Sequence, residues 1–420
     1  MKYRRILAIG VVAICLLCAE IGLGKTPVVW WMLYHNSVPE AEQWLKDWER
    51  MFNETHPDID LKIETRVSNP REAVIVQTVA GVGPDIMYEV DSVMGQWVEN
   101  GYAMPLDKYI ASWPGKNDIL PAVLDGVTYG GQLRAMPFML WTWGVAWNKN
   151  VFAEAGMTSF PQTWDEVTQA ARRTTRTNAD GTIAQWGWRT WRSNIYILAL
   201  VEAHFRQLGA TIIEEGQTRA NLNNSVGHQV MAQLRDWWRI GGMPPNLAAS
   251  SDDLAKGKGA MYYAWSGDDR STIVNNYPDV GPETIGFARY PGPTPGNDVL
   301  QFMTANLMIL SSSKNPDAAW QVITAFMEPE NLKQYLLRRG MISVLRSHYH
   351  DPDLMSFKYT NELMALVYDP LYIHGTKHQR YGRYRATAGN EFIKAFDGSI
   401  GITEALIKAE EIIRAEITGN

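Results

Sequence analysis

Residues 28–64 read VVWWMLYHNSVPEAEQWLKDWERMFNETHPDIDLKIE, and their punctuation decides the fold class. Val28 to Leu33 is a continuous apolar run of strand length, the pattern of a strand buried on both faces. After the polar Tyr34-His35-Asn36 the apolar positions become Ala41, Trp44, Leu45, Trp48, Met51 and Phe52, spaced for one face of a helix. His56-Pro57 ends that helix, and Ile59, Leu61 and Ile63 then alternate with Asp60, Lys62 and Glu64, as a strand with one wet face would. The chain opens strand, helix, strand, which predicts a mainly parallel sheet covered by helices, an α/β fold.

The same grammar continues outward. Asn69-Pro70 is a cap followed by a first turn, predicting a helix that runs out near Gly81, and Pro84 to Tyr88 restarts as a strand. Thr163 and Glu166 have capping-box spacing and start a helix through Arg173. Asn315-Pro316 begins another, carrying Ala318, Ala319, Val322, Ile323 and Phe326, and the last helix puts Ala405, Leu406, Ala409, Ile412, Ile413 and Ile417 on one face. The Pro291 to Gly296 run is too short for a tether and reads as a surface turn. No internal repeat or low-complexity tract interrupts the pattern.

The N-terminus predicts export. Lys2, Arg4 and Arg5 precede an apolar run from Ile6 to Leu17, and Gly22 and Gly24 suit a cut after Gly24, so residues 1–24 read as a signal peptide. That run is too short to span a bilayer, which takes about 20 apolar residues. A lipid anchor needs a small residue before its cysteine, whereas Leu17 precedes Cys18 and Ile14 precedes Cys15. Both cysteines lie in the leader, so the mature chain is expected to hold no disulfide or thiolate site and to fold on its cores alone, as two soluble domains. The net charge of −6 becomes more negative once the basic leader is lost, which argues against nucleic acid as a partner. Seventeen tryptophans are more than core packing commonly uses, and some are candidates for a binding surface.

Eight ordered landmarks carry a family resemblance: Thr55-His56-Pro57 after the Trp-rich helix; Gly81-Val82-Gly83-Pro84-Asp85-Ile86; Glu99-Asn100-Gly101-Tyr102 leading to Pro105-Leu106-Asp107; Met136-Pro137-Phe138; Trp147 to Phe152 with Ala155-Gly156; Pro161 to Glu166; Gly257 to Met261; and Ser313 to Pro316 with Ala318-Ala319-Trp320. In this order they resemble the extracellular solute-binding proteins of ATP-driven sugar importers. The resemblance implies a two-lobed periplasmic-binding-protein-like fold, each lobe a mainly parallel sheet flanked by helices, with the ligand cleft at the hinge. It places one lobe at 25–139 and 287–328 and the other at 140–286 and 329–420. It further implies a periplasmic, monomeric protein that captures a small carbohydrate and hands it to membrane permease subunits, without spanning the membrane itself.

A pyranose presents an apolar C–H face and a rim of hydroxyls, so its site needs flat rings beside carboxylates, amides or guanidiniums. Tyr34, His35 and Asn36 end the first strand, and Glu89, Asp91 and Ser92 follow the Asp85 to Tyr88 strand, both positions where the resemblance places ligand and where open α/β sheets bind it. Trp141 and Trp143 sit on the first crossover with side chains on one face, an arrangement that predicts they do not both turn to the core. Trp186, Trp188 and Trp191 with Arg189 and Arg192 form the densest aromatic and basic group, in which strand packing accounts for one or two rings and not for the arginines. The resemblance adds Trp265, Ser266 and Asp268 as a ligand loop and Asn306 as a further contact. Trp44, Trp48, Trp164, Trp237, Trp238 and Trp320 have helical spacing and are expected in the core.

Catalytic signatures are not found: no Gly-x-Ser-x-Gly elbow, phosphate loop or dinucleotide fingerprint occurs. His374 and His378 have helical metal-pair spacing without the expected Glu, and with His348 and His350 they read as surface histidines, so neither a metal nor a cofactor is expected. The competing readings are a secreted carbohydrate hydrolase or lyase using paired acids such as Asp252-Asp253 or Asp268-Asp269, and the same fold binding a phosphorylated polyol, a polyamine or a peptide.

Overall fold

A computed structural model describes residues 24–33, 38–66, 71–190, 193–214, 219–241, 251–265, 272–357, 359–368, 372–374 and 380–418. Its opening strands are β1 (Thr26–Leu33), β2 (Ile59–Arg66) and β3 (Ile86–Val90), followed by the short β4 (Thr128–Tyr129) and β5 (Gln132–Leu133). The middle of the chain gives β6 (Met136–Asn148), β7 (Arg176–Thr177), β8 (Ile183–Arg189) and β9 (Gly259–Trp265). The last are β10 (Ile285–Ala288), β11 (Leu300–Ile309), β12 (Ile342–Ser343) and β13 (Tyr372–His374).

The opening unit forms as its pattern requires. The Pro39–Thr55 helix buries Ala41, Leu45, Trp48 and Phe52, and Trp48 meets Trp30 of β1 edge-on at 6.1 Å. Asn53 locks that helix to β2 by donating to the Leu61 carbonyl at 2.8 Å and accepting from its N–H at 2.7 Å. Asp85 accepts the Val29 N–H at 2.9 Å, which fixes where β3 joins β1. Residues 67–70 lie outside the described set, and the helix expected after them spans Arg71–Val79. At Thr163 the hydroxyl accepts the Glu166 N–H at 3.2 Å, while the Glu166 carboxylate reaches back past the cap to the Gln162 N–H at 2.7 Å. Asn315 precedes the Pro316–Phe326 helix without capping it through its side chain, which donates instead to the Pro27 carbonyl at 2.9 Å.

One sheet has the order β2-β1-β3-β11-β6-β9-β8-β7. Pairing is parallel at β1 with β2 and β3 and at β8 with β9, as the opening predicts. It turns antiparallel wherever β6 or β11 meets β3 or β9, because those two strands carry the chain from one half of the sheet to the other. At 13 residues β6 is long enough to reach about 40 Å. Its first part pairs with β11 and its last part with β9 and β10. At Gly144 a Cβ would stand 2.3 Å from the Ala288 carbonyl oxygen, so β10 can lie this close only where β6 has no side chain. The first half is thus β2, β1 and β3 with their helices, and the second is β9, β8 and β7 with the Asn194–Gln207, Ser225–Ile240 and Tyr381–Asp397 helices.

Candidate functional site

Directly opposed residues of neighbouring strands project from the same face. Trp141 lies opposite Met303 and Trp143 opposite Gln301, while Val145 lies opposite Tyr263. The two crossing strands and β9 therefore aim Trp141, Trp143, Met303, Gln301 and Tyr263 to one side, at the line where the halves meet. Tyr196 packs onto this wall from the Asn194–Gln207 helix, its ring 5.5 Å from Trp143, with Tyr263 at 6.3 Å. Tyr263 donates to Gln301 Oε1 at 2.7 Å, and Gln301 Nε2 donates to the Ala199 carbonyl at 2.8 Å.

Asp91 stands at the end of β3, where the Asp91–Glu99 helix begins. Its carboxylate accepts the Thr304 N–H of β11 at 3.1 Å. Burial is the main influence on this group and raises its pKa to about 7, against backbone hydrogen bonds and the charge of Arg385, which oppose the shift. Ser92 follows, its Oγ 3.9 Å from Met303 Sδ. From the second half, Tyr381 donates to Glu202 Oε2 at 2.9 Å. Burial first and the Glu202 charge second hold the phenols of Tyr263, Tyr381 and Tyr384 well above their ordinary range.

The expected residues fall into three groups. Asp91, Ser92, Trp141 and Trp143 come together at the wall. Both tryptophans are only 5% and 8% exposed and Thr142 is buried between them, which corrects the expectation that they would not both turn inward. The reason is that β6 is covered on both faces, so alternation along it separates two packed layers and not a wet face from a dry one. Glu89 and Asn306 point to the opposite face of the sheet, and Trp188, opposite Met261, shares the wall's face but packs into the core beside it. Glu89 takes the Val90 N–H at 2.9 Å and the Trp97 indole N–H at 3.3 Å. Asn306 donates to the Glu89 and Thr304 carbonyls, and Trp188 packs against Trp237 at 5.3 Å. The third group, Tyr34, His35, Asn36, Trp191, Arg192, Ser266 and Asp268, lies outside the described residues, and of Trp265 only the backbone is described, in register with Trp143.

Arg189 also corrects the sequence reading. It is buried, donates to the Gly241 carbonyl at 3.1 Å and sits 5.2 Å over the Trp186 ring, so strand packing does occupy this arginine. His348 is not a surface histidine. Its Nε2 faces the Pro329 carbonyl at 2.9 Å and its Nδ1 lies 2.7 Å from Ser343 Oγ. That contact has the spacing of a nucleophile and its base, but Ser343 also accepts the Leu345 N–H and both residues are buried, so the pair locks the turn after β12. Asp253 accepts the Trp186 indole N–H at 3.3 Å. Among the described residues no group of His, Cys, Asp or Glu could hold a metal ion, and no helix is long and apolar enough to cross a membrane. A groove of about 400 Å³ lies between Trp48, Phe52, His56, Thr324, Glu328 and Asn331, on helices flanking β1 and not at the wall.

Sequence reading missed Tyr196, Glu202, Tyr263, Gln301, Met303, Tyr381 and Arg385. Gln301 and Met303 had a signal: they share the alternation of β11 opposite Asn306 in parity, so the residue named on that strand pointed to the wrong side. Nothing local marks Tyr381 or Arg385, which come to the site through the fold.

The profile of the bacterial extracellular solute-binding protein family matches residues 36–333. The maltotriose-binding protein of Pyrococcus abyssi is 23% identical over 351 residues, covering 80% of this chain and 70% of that one. Among solved structures, the sugar-binding protein MalE of Xanthomonas citri superposes with a TM-score of 0.81 at 16% identity, over 94% of this chain and 98% of its own. The cyclic alpha-maltosyl-1,6-maltose binding protein of Arthrobacter globiformis does so with a TM-score of 0.78 at 20% identity, over 94% and 100%. The fold is the two-lobed one these proteins share.

Proposed function

The chain belongs to the bacterial extracellular solute-binding protein family, and on that premise we propose that it captures a small carbohydrate, a monosaccharide or short oligosaccharide, between its lobes and delivers it to an ATP-driven membrane importer. The observation that carries this reading is the wall of Trp141 and Trp143 on a strand that crosses between the halves, with Asp91 and Ser92 at its edge. Rings of this kind match the apolar face of a sugar, and a carboxyl and a hydroxyl match its rim. Relatives that bind maltotriose and cyclic maltosyl-maltose support the ligand class.

In this reading the lobes are residues 25–139 with 287–328 and 140–286 with 329–420, and they hinge shut about the crossing strands. Tyr34, His35, Asn36, Trp191, Arg192, Trp265, Ser266 and Asp268 are the further ligand contacts of this proposal, while Glu89 and Asn306 back the sheet behind the wall and Trp188 packs beside it. The leader at residues 1–24 is removed on export, and the mature protein works as a periplasmic monomer that leaves its ligand unaltered.

Calorimetric titration with mono- and oligosaccharides tests the proposal. A saturable signal is expected for at least one sugar, which should be recovered unchanged after overnight incubation. Silence across the panel while a polyamine, peptide or phosphorylated polyol binds would overturn the sugar, and a hydrolysed product would overturn the carrier role.

A further inference from the structure

We propose that Glu99, Arg380 and Arg383 form a latch that holds the two halves of the protein against each other. Glu99 ends the Asp91–Glu99 helix, which packs on β3 and β11 in the first half. Arg380 and Arg383 open the Tyr381–Asp397 helix, which packs on the Asn194–Gln207, Ser225–Ile240 and Ile402–Thr418 helices of the second. The start of the second helix touches the first, so the ion pairs join elements that pack on opposite sides of the crossing strands.

The geometry is that of a two-armed clasp. Arg380 Nε lies 2.8 Å from Glu99 Oε1, and Arg383 Nη2 lies 3.8 Å from Glu99 Oε2. The side chains of Glu99 and Arg380 keep only 23% and 25% of their exposure, so the pair is partly desolvated and less screened than a surface bridge. Arg380 is also held in place, because its Nη1 donates to the Glu416 carbonyl at 2.6 Å. Between the arms, Gly382 sits so tightly on the other helix that a Cβ would meet Gln96 Nε2 at 2.8 Å and Val93 Cγ1 at 3.1 Å. Asp91 begins the helix that Glu99 ends, and the charge of Arg385, from the second half's helix, acts on it to lower its pKa.

Small-angle X-ray scattering on the exported protein, dialysed free of carried solute, tests the latch. Glu99→Arg should raise the radius of gyration above wild type, and combining it with Arg380→Glu and Arg383→Glu should bring it back. Should Glu99→Arg fail to fold, Glu99→Gln serves, with the open-to-closed ratio rising about fivefold, the change that roughly 1 kcal/mol makes. An unchanged radius in the folded variant, or no recovery in the charge swap, overturns the latch. The readout uses no sugar, so a protein that binds none leaves the latch standing, and a failed latch leaves the sugar site untouched.

Discussion

Around His204 the rings of Trp164, Tyr290 and Trp237 close at 4.9, 5.0 and 5.6 Å. Around Trp143 the rings of Tyr196 and Tyr263 stand at 5.5 and 6.3 Å. Both regions are aromatic, both hold a buried glutamine, and both contain a titratable group whose pKa burial has moved. They differ in what the polar atoms serve. In the His204 box, His204 Nδ1 donates to Leu200 of its own helix, and Gln207 ties Trp164 to the Tyr290 and Pro291 carbonyls, so the bonds close a core. At the wall, Trp143, Tyr196, Tyr263, Gln301 and Asp91 come from five separate elements on both sides of the crossing strands. Rings at contact distance do not mark a binding site. Convergence of independent segments onto a line where two halves meet does.

The largest test of that contrast is to remove one ring from each region. Trp237→Ala should cost about 3–5 kcal/mol of stability, the usual range for deleting a buried large ring, and leave sugar affinity unchanged. Trp143→Ala should weaken sugar binding at least tenfold, about 1.4 kcal/mol, and cost less in folding because water can reach the vacated wall. Urea denaturation and calorimetry on both variants decide the matter. Equal stability losses with no change in affinity would show the wall to be a second core.

A smaller effect, opposite in sign between the regions, comes from pH. Burial depresses the His204 pKa to about 3, so below 6.5 the unfolded chain takes up a proton that the folded one refuses. Its contribution is fully present at neutral pH and falls as the medium acidifies, by roughly 3 kcal/mol between pH 7 and pH 4. Asp91 behaves in reverse. With its pKa raised to about 7, the folded protein binds the proton between about pH 4 and 7, and stability from this group is lost as pH rises through that window. Allowing for the partial exposure of the residue, roughly 2 kcal/mol disappears between pH 5 and 8. His204→Phe should flatten the acid side of the stability profile and Asp91→Asn the neutral side. Sugar affinity should change only in Asp91→Asn. If His204→Phe also loses affinity, the box and the wall are coupled and the contrast fails.

These two regions were unequally legible in the sequence. The box was half visible: Trp164 and Trp237 were assigned to the core from helical spacing, and both are buried. The fold was readable because Val28 to Leu33, the Pro39–Thr55 helix and the strand after His56-Pro57 each satisfy a local period, and local periods survive into the structure. The wall was readable only where it lies on one strand, at Trp141 and Trp143, or at a strand end, at Asp91 and Ser92. Tyr381 reaches Glu202 across 179 positions of sequence, and no spacing rule connects them. Asn306, expected from the resemblance alone, lies on the other face of β11 from Met303 and Gln301, a strand buried on both faces whose pairing with β6 is bulged between Ala305 and Asn306.

The finest distinction is carried by the two glutamines. Gln207→Leu strands the Trp164 indole N–H inside a sealed core, where an unmet buried donor costs about 1–3 kcal/mol. Gln301→Leu strands the Tyr263 hydroxyl in the same way and should cost about as much. Removing the second partner as well, Trp164→Phe in one region and Tyr263→Phe in the other, should return part of the loss in both, a coupling of roughly 0.5–1.5 kcal/mol in each cycle. Binding then separates them. Tyr263 leans on Trp143, so Gln301→Leu lets a wall ring move and should raise the sugar dissociation constant a fewfold, whereas Gln207→Leu reaches the wall only at second hand, through Tyr290 edge-on to Tyr263 at 5.7 Å, and should change it less. Two cycles that agree in urea and disagree in the calorimeter are what a core and a wall built from the same chemistry must give, and agreement in both instruments would mean that Gln301 holds nothing but the sheet.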